Sequence, residues 1–288
     1  MAIASTLEEL RTFLSSKLAQ ESVRYWGDVD TGWNAYAENY HGGWDASEHL
    51  FRCDDLKRYG FLPNKARVLD LAAGSGQFLQ HGSAAGYEVW GVEPEEWKRQ
   101  FISAKLELTG AAAELKPRLV AGIGEALPFL DSTFDCVTTY QTLEHVQNPE
   151  LVLHEMVRVT KAGGGIYIRC PDYRSTFEGH YRLPWLPLFP RPLARAYLRA
   201  MKRPLAGLDS IQYVTKPRIK NSLARIERSS NTRLLVIDDS RVRFENELRR
   251  RGIPLVSGGY EIWQLIQWMR CLFRNEVNVN LFVRVLAK

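Results

Sequence analysis

The 288-residue sequence has no apolar run approaching the ~18 residues that a membrane-spanning helix needs. Its start, Met1-Ala-Ile-Ala-Ser-Thr, runs into Glu8 and Glu9 without the basic and apolar regions of a secretory signal, so no signal is expected. Cysteine is scarce, and Cys53, Cys136, Cys170 and Cys271 form no Cys-x-x-Cys pair. That excludes a disulfide-stapled scaffold and gives no zinc pattern. The expectation is a reduced, cytoplasmic protein. No Walker Gly-Lys-Ser/Thr is present either, which removes the common nucleoside-triphosphate loop. What remains is ordinary globular usage, 45% hydrophobic and 25% charged, in a length that fits one large domain or two small ones.

The net charge of +5 is unevenly spread. Residues 182–251 hold 17 Lys and Arg against 6 Asp and Glu, a net +11, so the rest carries −6. Such a segment suits an anionic partner or a solvated helical face. Within it, Arg182-Leu-Pro-Trp-Leu-Pro-Leu-Phe-Pro190 is apolar and proline-rich. A helix is expected from about 192 to 202, with Arg191, Arg195 and Arg199 on one stripe. This combination also suits a membrane edge, so peripheral contact at the inner membrane face is expected through 182–203.

Thr6-x-x-Glu9 is a capping box that starts a short helix. An aromatic stretch follows from Tyr25 to Trp44, then a helix over 47–59. From Ala66 the pattern alternates strand, loop and helix. Strands are expected at 67–71, 87–92, 119–123, 134–140 and 165–169, and helices at 77–85, 95–106 and 149–160. This is the rhythm of a parallel sheet covered on both faces. Farther on come helices at 216–228, 244–251 and 261–273, and strands at 234–237 and 278–286.

Val68-Leu-Asp-Leu-Ala-Ala-Gly-Ser-Gly-Gln-Phe78 is the most informative segment. A buried strand ends in an acid, and a Gly-x-Gly turn leads into a helix. Glycine removes Cβ where a ligand lies against backbone. The third glycine of the NAD fingerprint falls at Leu79, which disfavours NAD. Instead, Asp70-Leu-Ala-Ala-Gly-Ser-Gly76 resembles motif I of the class I S-adenosylmethionine-dependent methyltransferases. Gly91-Val-Glu-Pro94, the stretch Gly124–Asp135, and Thr142–Pro149 with Arg158–Gly164 are similar to further family segments in order and spacing. The resemblance covers about residues 66–172, and the stretch also resembles the ubiquinone-biosynthesis and small-molecule O-methyltransferase group.

The resemblance implies an α/β, Rossmann-like, doubly wound and mostly parallel seven-stranded sheet with an antiparallel last strand. An N-terminal helical cap (1–60) would precede the cofactor-binding core (61–174). A basic lid or substrate insertion (175–230) and the completion of the sheet with a helical insertion (231–288) would follow. The implied cofactor is S-adenosyl-L-methionine, with Asp70, Ala72, Gly74 and Gly76 beside its amino acid and ribose. Glu93, followed by Pro94, would accept both ribose hydroxyls, as a carboxylate has the lone pairs to do. Gly124, Glu125, Ala126 and Gln141 complete the expected contacts. Two positions depart from the pattern: Ala72 replaces the first glycine, and Ile123 stands where an adenine-binding acid is common.

Methyl transfer needs alignment of nucleophile and methyl, and an oxygen nucleophile also gains from a base. Glu144-His145 follows the fourth strand at the sheet edge where open α/β folds bind ligands. His145, with Glu144 and His180, is the candidate catalytic group. Asp172, Tyr173, Tyr181, Tyr40 and His41 are further acid–base candidates. His49, His81 and His154 read as surface or packing residues. Some ubiquinone-pathway relatives place a metal on Glu-x-x-Glu-His, but Gln141 holds the first position here, so no metal is expected. The expected function is O-methylation of a glycan, a lipid-linked or anionic sugar, or another small molecule. A nucleic-acid methyltransferase using the basic segment and a non-catalytic scaffold are the alternatives. Nucleic acid is disfavoured because no Asn/Asp-Pro-Pro-Tyr or catalytic-cysteine motif is present.

Overall fold

The computed structural model describes residues 3–27, 47–250, 259–263 and 277–288. Tyr40, His41, the aromatic stretch beyond Gly27, Cys271 and most of the expected 261–273 helix lie outside those residues. The first helix, α1 (Leu7–Trp26), is 20 residues long rather than short. Thr6 Oγ1 caps it by accepting from Glu9 N–H at 3.2 Å. The Glu9 carboxylate reaches back to Ser5 N–H at 2.7 Å, one residue beyond the reciprocal bond of a capping box. The helix stops where Gly27 turns left-handed and its N–H bonds Ser22 O at 2.9 Å.

After α2 (Ser47–Arg58) the alternation begins. It runs β1 (Arg67–Leu71), α3 (Gln77–Ala84), β2 (Glu88–Val92), α4 (Glu96–Leu108), α5 (Ala112–Leu115) and β3 (Leu119–Val120). Next come β4 (Phe134–Tyr140), α6 (Pro149–Val159) and β5 (Thr160–Pro171). A two-stranded ribbon, β6 (Phe177–Glu178) with β7 (Leu183–Pro184), precedes α7 (Arg191–Ala200), α8 (Ala206–Ser210) and α9 (Lys216–Ser229). The chain closes with β8 (Arg233–Asp238), α10 (Asp239–Arg250) and β9 (Asn278–Ala287). The sheet order is β3-β2-β1-β4-β5-β9-β8. Only β9 runs against its neighbours, pairing antiparallel with both β5 and β8. This is the seven-stranded, mostly parallel sheet of the class I methyltransferase fold.

Two strands differ from expectation. β3 is only two residues long, and Ile123 leaves the sheet to bridge Ala126 in a turn. β5 begins earlier, because Thr160 continues straight out of α6. Large apolar cores cover the two faces of the sheet, one around Leu69, Val137, Met156 and Val283, the other around Val68, Phe78, Phe101 and Phe282. Each such fully buried side chain contributes about 1.5–3 kcal/mol. A third, smaller core joins Trp26 to residues of 173–211, notably Tyr181, Trp185 and Leu198. Residues 175–230 therefore hold two kinds of structure. The first part builds its own aromatic layer, while α9 packs Ile219, Leu223 and Ile226 into a main core.

Candidate active site

Strand order reverses beside β1, where β2 lies on one side and β4 on the other. In such sheets the crevice at the carboxyl ends of these strands takes the ligand. The loop leaving β1 is shaped by three left-handed residues, Ala72, Gly74 and Gly76. Ala73 N–H is held by Val92 O at 2.9 Å, which binds the loop to the end of β2. Gly91 makes that approach feasible, because a Cβ there would lie 2.9 Å from the Ala73 side chain. Gly76 starts α3, and a Cβ on it would meet Ile102 at 2.8 Å.

Glu93 ends β2 and is 2% exposed. Its Oε2 accepts from Gly74 N–H at 2.8 Å and its Oε1 from Glu95 N–H at 3.1 Å. Burial raises its pKa, against the pull of Lys98 and the two N–H donors. A carboxylate offers about four lone-pair sites, so capacity remains beyond these two bonds. Pro94 O and Glu93 O both accept from Arg99, which fixes the turn after the strand.

Asp70 sits differently from what the motif implies. Its carboxylate is 5% exposed, takes an ion pair from Arg52 at 3.0 Å and a hydrogen bond from Thr138 at 3.0 Å. Burial raises its pKa, and Arg52 and Thr138 oppose the rise. The Arg52 guanidinium in turn lies 4.6 Å from the ring centres of Phe78 and Tyr140. Asp70 thus braces α2 against the loop. Arg52 escaped sequence reasoning, since nothing in the 47–59 pattern marks one arginine as a partner.

On the adenine side, Gly124 is buried between Val152 and Leu71. Ala126 N–H is used by Ile123 O at 3.3 Å. Glu125 Oε1 accepts from Gln147 and Asn148 N–H at 2.8 and 3.2 Å, so it ties this turn to the loop before α6. Gln141 is left-handed. Its amide donates to Asn278 at 3.2 Å, while its buried oxygen has no hydrogen-bond partner among the described residues.

The three candidate catalytic residues come together. Glu144 and His145 lie in the loop after β4, and His180 in the turn of the β6–β7 ribbon. His180 Nδ1 is 2.7 Å from Glu178 Oε1, and its Nε2 is 3.2 Å from His145 Nε2. Glu144 Oε1 lies 3.8 Å from His145 Nε2. Glu178, 2% exposed, also accepts from Tyr181 N–H at 2.6 Å. Trp26 stacks on His180 with ring centres 4.5 Å apart. For a pair of neutral rings the contacts allow one placement of the protons. A carboxylate only accepts, so His180 Nδ1 carries hydrogen and its neutral Nε2 is a lone pair. His145 Nε2 must then donate, which leaves His145 Nδ1 as the free base. His145 is 39% exposed on one side; close packing elsewhere, with the charge of Lys98, pushes its pKa down. Lys98 thus acts electrostatically on both Glu93 and His145.

Gln141 leaves the Glu-x-x-Glu-His pattern incomplete. The structure adds His180 to the Glu144–His145 pair, and among the described residues these three donors lie within 4.8 Å of one another. Chemically, the group can relay a proton or hold a divalent cation. The remaining candidates among the described residues, Asp172, Tyr173 and Tyr181, make structural contacts. Asp172 Oδ2 accepts from Lys216 N–H at 3.3 Å and pairs with Arg174. Tyr181 OH donates to Pro204 O and accepts from Leu208 N–H. Tyr173 stacks on Tyr213 inside the small core. The arginine stripe is partly spent as well. Arg191 donates to Leu208 O and Ile211 O, and Arg195 pairs with Asp209.

Residues 69–168 match the methyltransferase domain family. The match covers about a third of the chain and is to a family described as a methyltransferase domain. The chain is 33% identical over 128 residues to an uncharacterized methyltransferase of Mycobacterium leprae, covering 43% of this chain and 44% of that protein. It is 31% identical over 147 residues to the demethylmenaquinone methyltransferase of Renibacterium salmoninarum, covering 51% and 57%. The chain spans about half the length of the curated relatives it matches. Among solved structures, a geranyl diphosphate methyltransferase in complex with SAM matches 91% of the chain and 93% of its own, at 14% identity and a TM-score of 0.50. The [4+2]-cyclase SpnF matches 98% and 97%, at 16% identity and a TM-score of 0.50. A cyclase in this company shows that the methyltransferase fold alone does not fix the reaction. No helix among the described residues is long and apolar enough to cross a membrane.

Proposed function

We propose that the protein is an S-adenosylmethionine-dependent methyltransferase acting on a hydroxyl oxygen. The observation that carries this reading is Glu93, a buried carboxylate held beside Gly74 with lone pairs to spare. Its residual capacity suits a pair of ribose hydroxyls. The orphaned, buried Gln141 oxygen suits the ammonium of the cofactor's amino acid end. The cofactor supplies a methyl group on a sulfonium, whose departure leaves a neutral thioether. The protein's task is then alignment and acceptance of the nucleophile's proton.

His145 Nδ1 takes that proton from the acceptor hydroxyl. The resulting imidazolium is supported through His145 Nε2–H by His180, whose own Nδ1–H rests on Glu178. Glu178 and His180 act through His145 and are positioning residues. The acceptor is a glycan, a lipid-linked sugar or another hydroxyl-bearing small molecule. Sugar stacking would fall to aromatics other than Tyr181 and Trp185, both buried in the small core.

The test follows label from methyl-labelled S-adenosylmethionine into hydroxyl acceptors, including lipid-linked glycans. His145→Ala should lower transfer by about 10²–10⁴-fold, the usual worth of a general base, while cofactor affinity holds. Chelation should leave turnover unchanged. Transfer unaffected by His145→Ala, or abolished by chelation and restored by a divalent cation, would contradict the relay.

A further inference from the structure

The span 182–203 lies outside the methyltransferase segment and has six basic residues and no acid. Much of it is buried: Leu183, Trp185, Phe189, Ala194 and Leu198 fill the small core. The side chains facing the other way are the unusual ones. Leu186, Leu188, Leu193 and Met201 are each 45–59% exposed, four of the twelve large exposed apolar residues among those described, within sixteen positions. On α7 the face opposite buried Ala194 and Leu198 is Leu193, Ala196 and Ala200, all exposed. A surface helix normally turns polar residues outward; this one turns apolar residues both ways.

The backbone also favours this display. Leu188 is left-handed, with φ of 52°, a conformation that disfavours any residue with a Cβ by ~1–2 kcal/mol. It sits in a turn fixed by Leu188 N–H to Tyr173 O at 2.8 Å and Phe189 N–H to Leu186 O at 3.0 Å. Glycine would relieve the strain there, yet the position holds an exposed leucine. The same span holds Arg182, Arg199 and Lys202, all exposed, whose side chains make no ion pair or hydrogen bond among the described residues. Arg191, Arg195 and Arg203 point inward instead, to Leu208 and Ile211, to Asp209 and to Gly27.

We propose that this face docks on an anionic lipid bilayer. Apolar side chains enter the acyl boundary, and the unpaired cations of the same span meet lipid phosphates, the arrangement by which interfacial helices bind. A nucleic acid would be met by cations at the centre rather than leucines. The small core beneath the docked face reaches the candidate site. Trp185 stacks on Tyr181, Tyr181 meets Trp26 edge-on, and Trp26 stacks on His180. Docking therefore holds the His145–His180 pair close to the membrane, where a lipid-linked acceptor presents its headgroup. The docking claim stands apart from the methyl-transfer reading and can fail without it.

The test is co-sedimentation of the full chain with phosphatidylcholine vesicles, and with vesicles in which part of that lipid is replaced by phosphatidylglycerol. The protein should pellet with the anionic vesicles, progressively less as salt rises. R199Q/K202Q should weaken that partition by about tenfold or more, at ~1 kcal/mol for each cation lost. Leu193→Ser should weaken it at every salt concentration. These side chains make no internal polar contact, so circular dichroism should show the variants folded. Equal pelleting with neutral vesicles, or none with either, would overturn the proposal. So would self-association abolished by Leu193→Glu, or capture by DNA or RNA in place of vesicles.

Discussion

Two residues set the local terms of the candidate site. Gly76 is left-handed and its missing Cβ would lie 2.8 Å from Ile102. Gly86 is also left-handed but has open space around it. Gly76→Ala should therefore lose ~1–2 kcal/mol for backbone strain and a further ~1–3 kcal/mol for overpacking, while Gly86→Ala loses only the backbone part. Paired denaturant unfolding curves measure the difference. His145 carries the pH dependence. Its folded pKa lies below the ordinary 6.5, so the unfolded chain protonates first as pH falls. Its contribution to stability is thus present in full above 6.5 and is lost progressively as the pH drops from that value through the folded one at about 3. His145→Gln should flatten the stability profile in that window, as unfolding at a series of pH values would show. An unchanged slope would mean that the imidazole is not held neutral by the fold.

At the scale of elements, α2 is joined to β1 by a charge. Arg52 and Asp70 are both nearly excluded from solvent, so removing one leaves the other buried and uncompensated, at a cost of ~3–5 kcal/mol. Arg52→Ala should be destabilising on that scale. Adding Asp70→Asn should recover part of the loss, and a double-mutant cycle isolates the coupling. Additive losses would show that the pair does not hold the helix. The sequence made β1, β2, β4 and the helices between them legible, because short apolar strands and capped amphipathic helices are local signals. Asn148 and Thr215 do cap α6 and α9. It hid the Arg52–Asp70 pair, since a contact across 18 residues leaves no periodic trace. It also hid Glu178, whose role becomes visible only when the ribbon folds His180 onto His145.

At the scale of the molecule, the fold brings four distant segments to one sheet edge: the β1 loop, the end of β2, the loop after β4 and the β6–β7 ribbon. The first three were legible as motifs. The ribbon was legible only as composition, because its small aromatic core is built from Trp26 and residues of 173–211 that share no repeat. Tertiary pairing likewise divides the arginine stripe of α7, since Arg191 and Arg195 are bonded within the protein while Arg199 is exposed. Glu93 supplies the pH dependence of the whole site. Its raised pKa means that cofactor affinity should fall with acidification at a pH above the ordinary glutamate value of 4.5, as the carboxylate proposed to accept the ribose hydroxyls becomes protonated.

The central claim is that this sheet edge binds S-adenosylmethionine through Glu93. Titration calorimetry of the purified protein with S-adenosylmethionine and S-adenosylhomocysteine, repeated on Glu93→Ala, tests it most directly. The account predicts saturable binding of both ligands by the wild-type protein. In the variant, affinity should fall by more than about a hundredfold, since two hydrogen bonds to a charged group are worth ~3 kcal/mol or more. Binding to neither ligand, or equal affinity in wild type and variant, would contradict it.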